Sequence, residues 1–248
     1  MSETYIRSSA SRPRRRNRLL LVLFTLIVLA VLLLGVDRGA AWLVGQQQAE
    51  QLQRDFGMSQ TPEVTFDGFP FLTQLIAGNF ERVEVHADEL TVAAGEQQFT
   101  LQDTDLELLD VRGITEPVAT QLNGTGVLDW NSVASLVGAP VSYAGSDAAG
   151  TGRIQVDYTA QVFGSAVTAT VIGTPMLDPE AQTLTLGEAQ VSVAGYELPE
   201  AVSNQLINQF AGDIPLSLPL NLKVDELSAE SAGMNVAISG SEVNFSGN

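Results

Sequence analysis

The 248-residue chain contains no cysteine and one histidine, and its formal net charge is −17 at pH 7. The missing thiols exclude a disulfide framework and a cysteine nucleophile, and the acidic balance argues against a nucleic-acid partner, because phosphate binding requires clustered cations. With one lysine and no GxSxG, SxxK or HExxH motif, the usual parts of hydrolases are missing. We therefore predict a protein that is not an enzyme and uses neither a metal nor a cofactor.

A basic segment followed by a long apolar run opens the chain. Arginines crowd residues 1–18, and the uncharged run Leu19–Val36 would reach about 27 Å as a helix, close to the roughly 30 Å of a bilayer core. The positive-inside rule then places residues 1–18 in the cytoplasm and residues 37–248 outside it. The run is either a retained single-pass anchor or a signal-peptide segment cleaved near Gly39–Ala41, which would release a secreted form.

The exported segment is strongly acidic. Six cationic and 28 acidic side chains follow the apolar run, so residues 37–248 carry a net charge of −22. Anionic lipid headgroups would repel such a domain. If the protein handles lipid, burial of apolar surface must supply the affinity.

A helix and then strands are predicted after the run. Small and apolar residues recur from Trp42 to Phe56 at spacings of three and four, which indicates an amphipathic helix that continues out of the run and ends near Gly57. From Glu63 the period changes to two. Alternation in segments such as Val83–Asp88 and Ile154–Val162 indicates half-buried antiparallel strands.

Glycine and proline punctuate the rest of the chain. We predict a hairpin turn at Gly164–Ser165, a bulge at Gly187, and short helices over Asp129–Val137 and Glu200–Phe210. Two further elements close the chain, an extended edge strand over Ile214–Val224, whose prolines cannot donate ladder hydrogen bonds, and a hairpin that turns at Gly240–Ser241.

Acidic side chains and the one histidine are weighed as ligands. Asp103, Asp105 and Glu107 share one strand face, with leucines on the other face only after a slip of one residue. A calcium site is one interpretation, but the spacing lacks the glycine and distal glutamate of an EF-hand loop, which favours a solvated acidic face. His86 has no second histidine beside it, so we interpret it as a solvated strand residue.

Residues 68–80 form an unusual apolar segment, GFPFLTQLIAGNF, with three aromatic and three large aliphatic side chains. One interpretation is a proline-turned loop whose side chains plug one end of a sheet as core. The other is an exposed apolar surface that binds a ligand or a partner. Pro70 fixes its own φ and biases Phe69 toward an extended conformation, so the loop should be stiff where it is most apolar. Contact with the membrane should depend on this loop or on tethering by Leu19–Val36, and not on charge.

The chain resembles a known family in the order of its motifs. A basic leader, an apolar run, Asp37-Arg38, a glutamine-rich helix, GFPFLTQLIAGNFERVEVHADEL and the terminal IPLSLPLNLKVDELSAESAGMNVAISGSEVNF are similar to the actinobacterial LmeA-like phospholipid-binding family of the cell envelope. The resemblance implies a non-enzymatic phospholipid carrier at the outer face of the cytoplasmic membrane. It also implies an α+β, β-rich, tubular lipid-binding-like fold, in which a bent antiparallel sheet wraps a long N-terminal helix and leaves an apolar groove.

On this resemblance we predict that the groove is lined by residues of the apolar segment and of the helix: Phe69, Phe71, Leu72, Leu75, Ile76, Phe80, Leu52 and Phe56. The expected partners are a phospholipid or related envelope lipid and the membrane. The alternative is an envelope scaffold that docks on a membrane enzyme such as a lipoglycan glycosyltransferase. Aspartate at both Phe69 and Phe71 is expected to leave the sheet folded but to slow lipid uptake, because a carboxylate resists entering the bilayer boundary.

Overall fold

The structure is a computed structural model that describes residues 14–56, 58–94, 97–162, 165–193, 196–197, 214–216 and 218–245. The helices are α1 (Arg14–Phe56), α2 (Phe71–Ala77) and α3 (Trp130–Val137), with a 3-10 turn at Pro219–Asn221. The strands are β1 (Glu63–Asp67), β2 (Asn79–Ala94), β3 (Gln97–Arg112), β4 (Val118–Asp129), β5 (Val141–Ser146), β6 (Gly152–Val162), β7 (Ser165–Asp178), β8 (Thr183–Val193), β9 (Tyr196–Glu197), β10 (Ile214–Pro215), β11 (Lys223–Ala229) and β12 (Gly233–Asn244).

The strands form two antiparallel sheets. Sheet A has the order β1-β2-β3-β4-β12-β11, and sheet B has the order β10-β8-β7-β6-β5 with β9 paired to β8. The structure confirms the predicted β-rich class with antiparallel sheets and one long N-terminal helix.

Helix α1 is continuous from the apolar run into the domain, as predicted. It is long and apolar enough to cross a membrane, and the side chains of Val22–Val36 are exposed. After Asp37 it packs on β1, β2 and α2. Small residues at Ala41, Gly45 and Ala49 make the close approach possible, whereas Trp42, which was predicted to share their stripe, is 67% exposed.

Sheet A has one apolar and one polar face, because side chains alternate along each strand and the register aligns them across strands. Phe66 of β1 is opposite Val83 of β2, which is opposite Leu108 of β3 and then Leu122 of β4. These positions define the apolar face of sheet A, and the alternate positions define its polar face.

Two clusters of buried side chains cover opposite ends of the apolar face. The first, here the helix cluster, joins α1 and α2 to sheet A through Ala41, Phe66, Phe71, Phe80, Val83, Val111 and Ala119. The second, here the sheet cluster, joins α3 and both sheets through Leu128, Val133, Ala139, Val141, Ile154, Val156, Ala229 and Met234. Apolar burial of this kind supplies the stability that disulfides cannot.

Several local predictions are confirmed. Helix α3 begins after Asp129, whose carboxylate accepts the Ser132 N–H at 2.8 Å. The register of β7 and β8 shifts beside Gly187, and β3 shifts against β4 between Gln102 and Asp105, which is the slip that its leucines required. Strands β6 and β7 pair up to Val162 and Ser165, while Gly164 and the predicted helix over residues 200–210 lie outside the described residues.

The predicted turn at Gly240–Ser241 is wrong. Strand β12 continues through it, with Gly240 paired to Leu122 and Val243 paired to Ala119 of β4. The chain reverses earlier, where the Glu230 N–H donates to the Gly233 carbonyl at 2.9 Å.

The prediction of a single edge strand over Ile214–Val224 is also wrong. The segment divides between β10, at the edge of sheet B, and β11, at the edge of sheet A, and the 3-10 turn at Pro219–Asn221 separates them. The edge position that the prolines predicted is confirmed for β10, which contains Pro215.

Candidate functional site

A buried aspartate fixes the apolar segment to the point where α1 leaves its apolar run. The side chain of Asp37 accepts the Phe71 N–H at 3.0 Å and the Leu72 N–H at 2.9 Å, and the residue is 3% exposed. These donors lie in the first turn of α2, where backbone N–H groups lack partners within the helix. A carboxylate there is favoured by charge-assisted hydrogen bonding.

Arg38 holds the loop that precedes α2. Its guanidinium donates to the Gly68 carbonyl, lies 3.3 Å from the Asp37 carboxylate, and stands 5.8 Å from the centroid of the Phe69 ring. The Asp37-Arg38 pair therefore fixes both the loop and the start of α2. The role of this pair is not visible in the sequence, because its bonds to Gly68 and Phe71 span 30 and 34 residues and no local pattern indicates them.

Two of the predicted lipid-binding residues lie in the core. Phe71 is 0% exposed and Phe80 is 7% exposed, and both rings pack on Phe66 at centroid distances of 5.6 and 5.1 Å. The core interpretation of the apolar segment is therefore right for these rings. An aspartate at Phe71 would bury an unpaired charge, so the expectation that the double variant stays folded does not fit this packing.

The other predicted residues of the segment lie at its surface. Phe69 is 58% exposed, Leu72 is 36% exposed and Ile76 is 88% exposed, while Leu75 is half-buried against the helix cluster. Leu72 and Ile76 are one helical turn apart, so they extend the same apolar surface.

The structure does not bring Leu52 to this surface. Leu52 is half-buried on α1, about 22 Å beyond Asp37 along the helix axis, and the side chain of Phe56 lies outside the described residues.

Three chain segments meet at one end of sheet A, which we call the Asp37 end. Across this end of the sheet Asn79 pairs with Arg112, Arg112 pairs with Val118, and Val118 pairs with Asn244. These pairings place α2, the loop 113–117 and the end of β12 side by side. The Gly113 N–H donates to the Gly78 carbonyl at 2.9 Å, and the Phe245 N–H donates to the Pro117 carbonyl at 3.0 Å. The apolar segment is thus flanked by a second loop and by the end of β12.

An apolar seam lies between the helix cluster and the sheet cluster on the apolar face. Leu106 of β3 and Ile238 of β12 are half-buried there, and Gly124 of β4 separates them. A Cβ atom at Gly124 would lie 2.7 Å from Leu106 Cδ2 and 2.9 Å from Ile238 Cγ1, so the two side chains meet above the glycine. We call these three residues the seam.

The polar face carries a depression of about 550 Å³, and the three seam residues Leu106, Gly124 and Ile238 also belong to its lining. Its lining includes residues of both edge strands of sheet A, and its acidic members are Glu63, Glu84, Asp105, Glu107 and Asp225. A surface rich in carboxylates does not favour acyl chains, because burial of a charge without a partner is costly.

His86 lies in this depression and is paired rather than simply solvated. Its Nδ1 is 2.6 Å from Asp105 Oδ1 and its Nε2 is 3.5 Å from Asp88 Oδ1, with about half of its side chain exposed. The hydrogen bond to Asp105 raises the pKa of His86 above its ordinary value. Within the described residues, no group of three His, Asp or Glu side chains is arranged to hold a metal ion.

The comparisons with known proteins point in one direction. A family model described as LmeA-like phospholipid-binding matches residues 35–239, which is most of the chain. No curated protein and no solved structure matches. The matched region begins at the end of the apolar run and contains the Asp37-Arg38 pair, α2 and the seam.

Proposed function

Because the chain belongs to the LmeA-like phospholipid-binding family, we propose that it is a non-enzymatic phospholipid carrier of the cell envelope. In this proposal α1 anchors the chain in the cytoplasmic membrane and residues 37–248 lie at its outer face. The arginines before the apolar run support that orientation through the positive-inside rule. Cleavage near Gly39–Ala41 would instead give a released form with the same lipid-binding residues.

The apolar seam is the proposed binding site of the acyl chains. The observation that carries this assignment is that Leu106 and Ile238 remain half-buried between two packed clusters of apolar side chains. Separation of these two side chains above Gly124 would open apolar surface that is continuous with both clusters. The exposed side chains of Phe69, Leu72 and Ile76 would form the entrance, with Leu75 beneath them.

The energetics suit carriage of lipid better than permanent storage. At about 0.8 kcal/mol per buried CH₂, two acyl chains contribute more than roughly 20 kcal/mol, and removal of the chains from a bilayer costs a similar amount. The two terms nearly cancel, so lipid can move in either direction between the membrane and the protein.

Photochemical crosslinking tests where the acyl chains bind. The whole chain is reconstituted in phosphatidylglycerol vesicles that contain a phospholipid with a diazirine in its acyl chain, and the adducts are mapped by mass spectrometry. Adducts on Leu106 and Ile238 are expected, in addition to adducts on the membrane helix, which serve as the internal control. Adducts confined to Leu19–Val36 would contradict the proposal.

A second crosslinking experiment, in cells and with a photoreactive amino acid in place of Phe69 or Ile76, separates the alternative function. A scaffold that docks on a membrane enzyme would give protein–protein crosslinks at Phe69 or Ile76 and no acyl adduct on the seam. That combination would reject lipid carriage in favour of docking.

A further inference from the structure

The Asp37 end carries an unusual share of the exposed apolar side chains. Outside α1, nine large apolar side chains of the described residues are exposed, and five of them lie at this end: Phe69, Leu72, Ile76, Ile114 and Phe245. Three of the five come from the apolar segment, but Ile114 and Phe245 come from elements that are distant in sequence. Chain folding thus assembles one apolar surface from three separate segments.

The position of this surface relative to α1 is set by short contacts. Asp37 follows Val36, the last residue of the apolar run, and its carboxylate bonds directly to the amides of Phe71 and Leu72. Helix α2 therefore begins at the level where α1 leaves the apolar run. Ile114 lies beside the other end of α2, with its Cγ1 3.7 Å from the position of a Cβ atom at Gly78.

We infer that the surface formed by Phe69, Leu72, Ile76, Ile114 and Phe245 inserts into the outer leaflet of the membrane that α1 crosses. The inference rests on the proposed membrane-anchored function and adds the orientation of the domain, with the Asp37 end against the bilayer and α3 far from it. Continuity with α1 identifies the occupant, because a bilayer around Leu19–Val36 ends at the height of α2.

Apolar burial, and not charge, has to drive this contact. Arg38 and Arg112 lie at the same end as Glu81 and Glu116, but the domain as a whole is acidic. Anionic headgroups therefore repel it, whereas isoleucine and phenylalanine side chains gain from transfer out of water. Trp42, which is 67% exposed within two turns of Val36, fits the interfacial level at which tryptophan is enriched.

The absence of cysteine makes the test direct. Single substitutions Ile76→Cys and Ile114→Cys in the whole chain are labelled with the environment-sensitive dye NBD and reconstituted in vesicles of phosphatidylcholine and phosphatidylglycerol. Val31→Cys in the membrane helix is the buried reference, and Leu136→Cys in α3, which is 53% exposed at the opposite end of sheet A, is the aqueous reference. Circular dichroism checks that each variant is folded.

The probes at Ile76 and Ile114 are expected to show blue-shifted emission and quenching by nitroxide-labelled lipid, close to the values at Val31. Emission and quenching equal to those at Leu136 would overturn the inference. This outcome is independent of the crosslinking result at the seam. Acyl adducts on Leu106 without insertion of the Asp37 end would support lipid carriage and reject the membrane contact. Insertion without acyl adducts would support the membrane contact and reject lipid carriage at the seam.

Discussion

At the scale of single residues, Asp37 connects α1 to the candidate site. The carboxylate is buried, yet both of its oxygens accept backbone N–H groups and Arg38 lies beside it. A buried charge is tolerated only with such partners. The orientation of α2, and of the apolar surface that it carries, therefore depends on one side chain more than thirty residues away in sequence.

Asp37→Asn should loosen the start of α2. The amide keeps a single acceptor oxygen and loses the charge, so we expect a loss of about 1.5–3 kcal/mol in the free energy of unfolding. Hydrogen exchange at the Phe71 and Leu72 amides should accelerate. The matched control is Glu50→Gln, because Glu50 pairs with Arg54 at 3.7 Å on the exposed helix surface and such pairs contribute little. Equal exchange rates in the two variants would show that Asp37 does not hold α2.

Phe71→Ala and Phe69→Ala should differ in their effect on stability, because one ring lies in the core and the other at the surface. Phe71 is fully buried, and its truncation should cost about 3–5 kcal/mol in the free energy of unfolding, whereas truncation of the exposed Phe69 should cost well under about 1 kcal/mol. Denaturant unfolding followed by tryptophan fluorescence measures both. Similar losses for the two variants would mean that the ring of Phe69 is packed as well.

His86 should report its pairing with Asp105 in a pH titration. The pKa of His86 is raised in the folded state, so the stabilisation is fully present below the unfolded pKa and is lost as pH rises through the folded pKa. As the chain has one histidine, its imidazole resonance is unambiguous by NMR. Asp105→Asn should lower the titration midpoint, and an unchanged midpoint would refute the pairing.

At the scale of elements, the local sequence pattern predicts helices and strands whose apolar residues repeat at a regular spacing. It fails for elements that depend on contacts with residues distant in sequence. The alternation in β2 and β6 and the spacing in α1 are visible in sequence because each repeats over many residues. Helix α2 was missed, since it has only about two turns, apolar side chains lie on both its buried and its exposed side, and Asp37 completes its first turn from elsewhere. Gly240 resembles a turn residue only until its pairing with Leu122 of β4 is known.

Of the candidate site, the sequence predicted the apolar segment but not the division of its residues. Phe71 and Phe69 have the same chemistry and differ only in what the tertiary fold places around them. The pairing of His86 with Asp105 and the arrival of Ile114 beside α2 depend on strand register and loop position, which no short window of sequence contains.

Gly45→Ala should disrupt the close packing of α1 on β1. A Cβ atom at Gly45 would lie 2.3 Å from the Val64 carbonyl oxygen, and the strand backbone cannot move aside as a flexible side chain can. We expect a loss of about 1–3 kcal/mol in the free energy of unfolding. The matched control is Gly39→Ala in the same helix, where the added methyl group meets nothing within 4 Å and should be neutral or stabilise by up to about 1 kcal/mol. A neutral effect at both positions would mean that α1 does not pack closely on β1.

At the scale of the whole molecule, apolar and acidic surfaces are segregated. The Asp37 end combines the exposed apolar run of α1 with exposed apolar side chains of the domain, while carboxylates line the depression on the polar face of sheet A. Between the helix cluster and the sheet cluster, the seam side chains Leu106 and Ile238 are half-buried.

Native mass spectrometry of the whole chain, released from detergent micelles, tests phospholipid binding most directly. The account predicts a stoichiometric phospholipid adduct on the wild-type chain, retained by Leu136→Asp and lost in Ile238→Asp, which places a carboxylate in the seam while its fold is checked by circular dichroism. A wild-type chain without a phospholipid adduct, or an adduct that survives unchanged in folded Ile238→Asp, would contradict it.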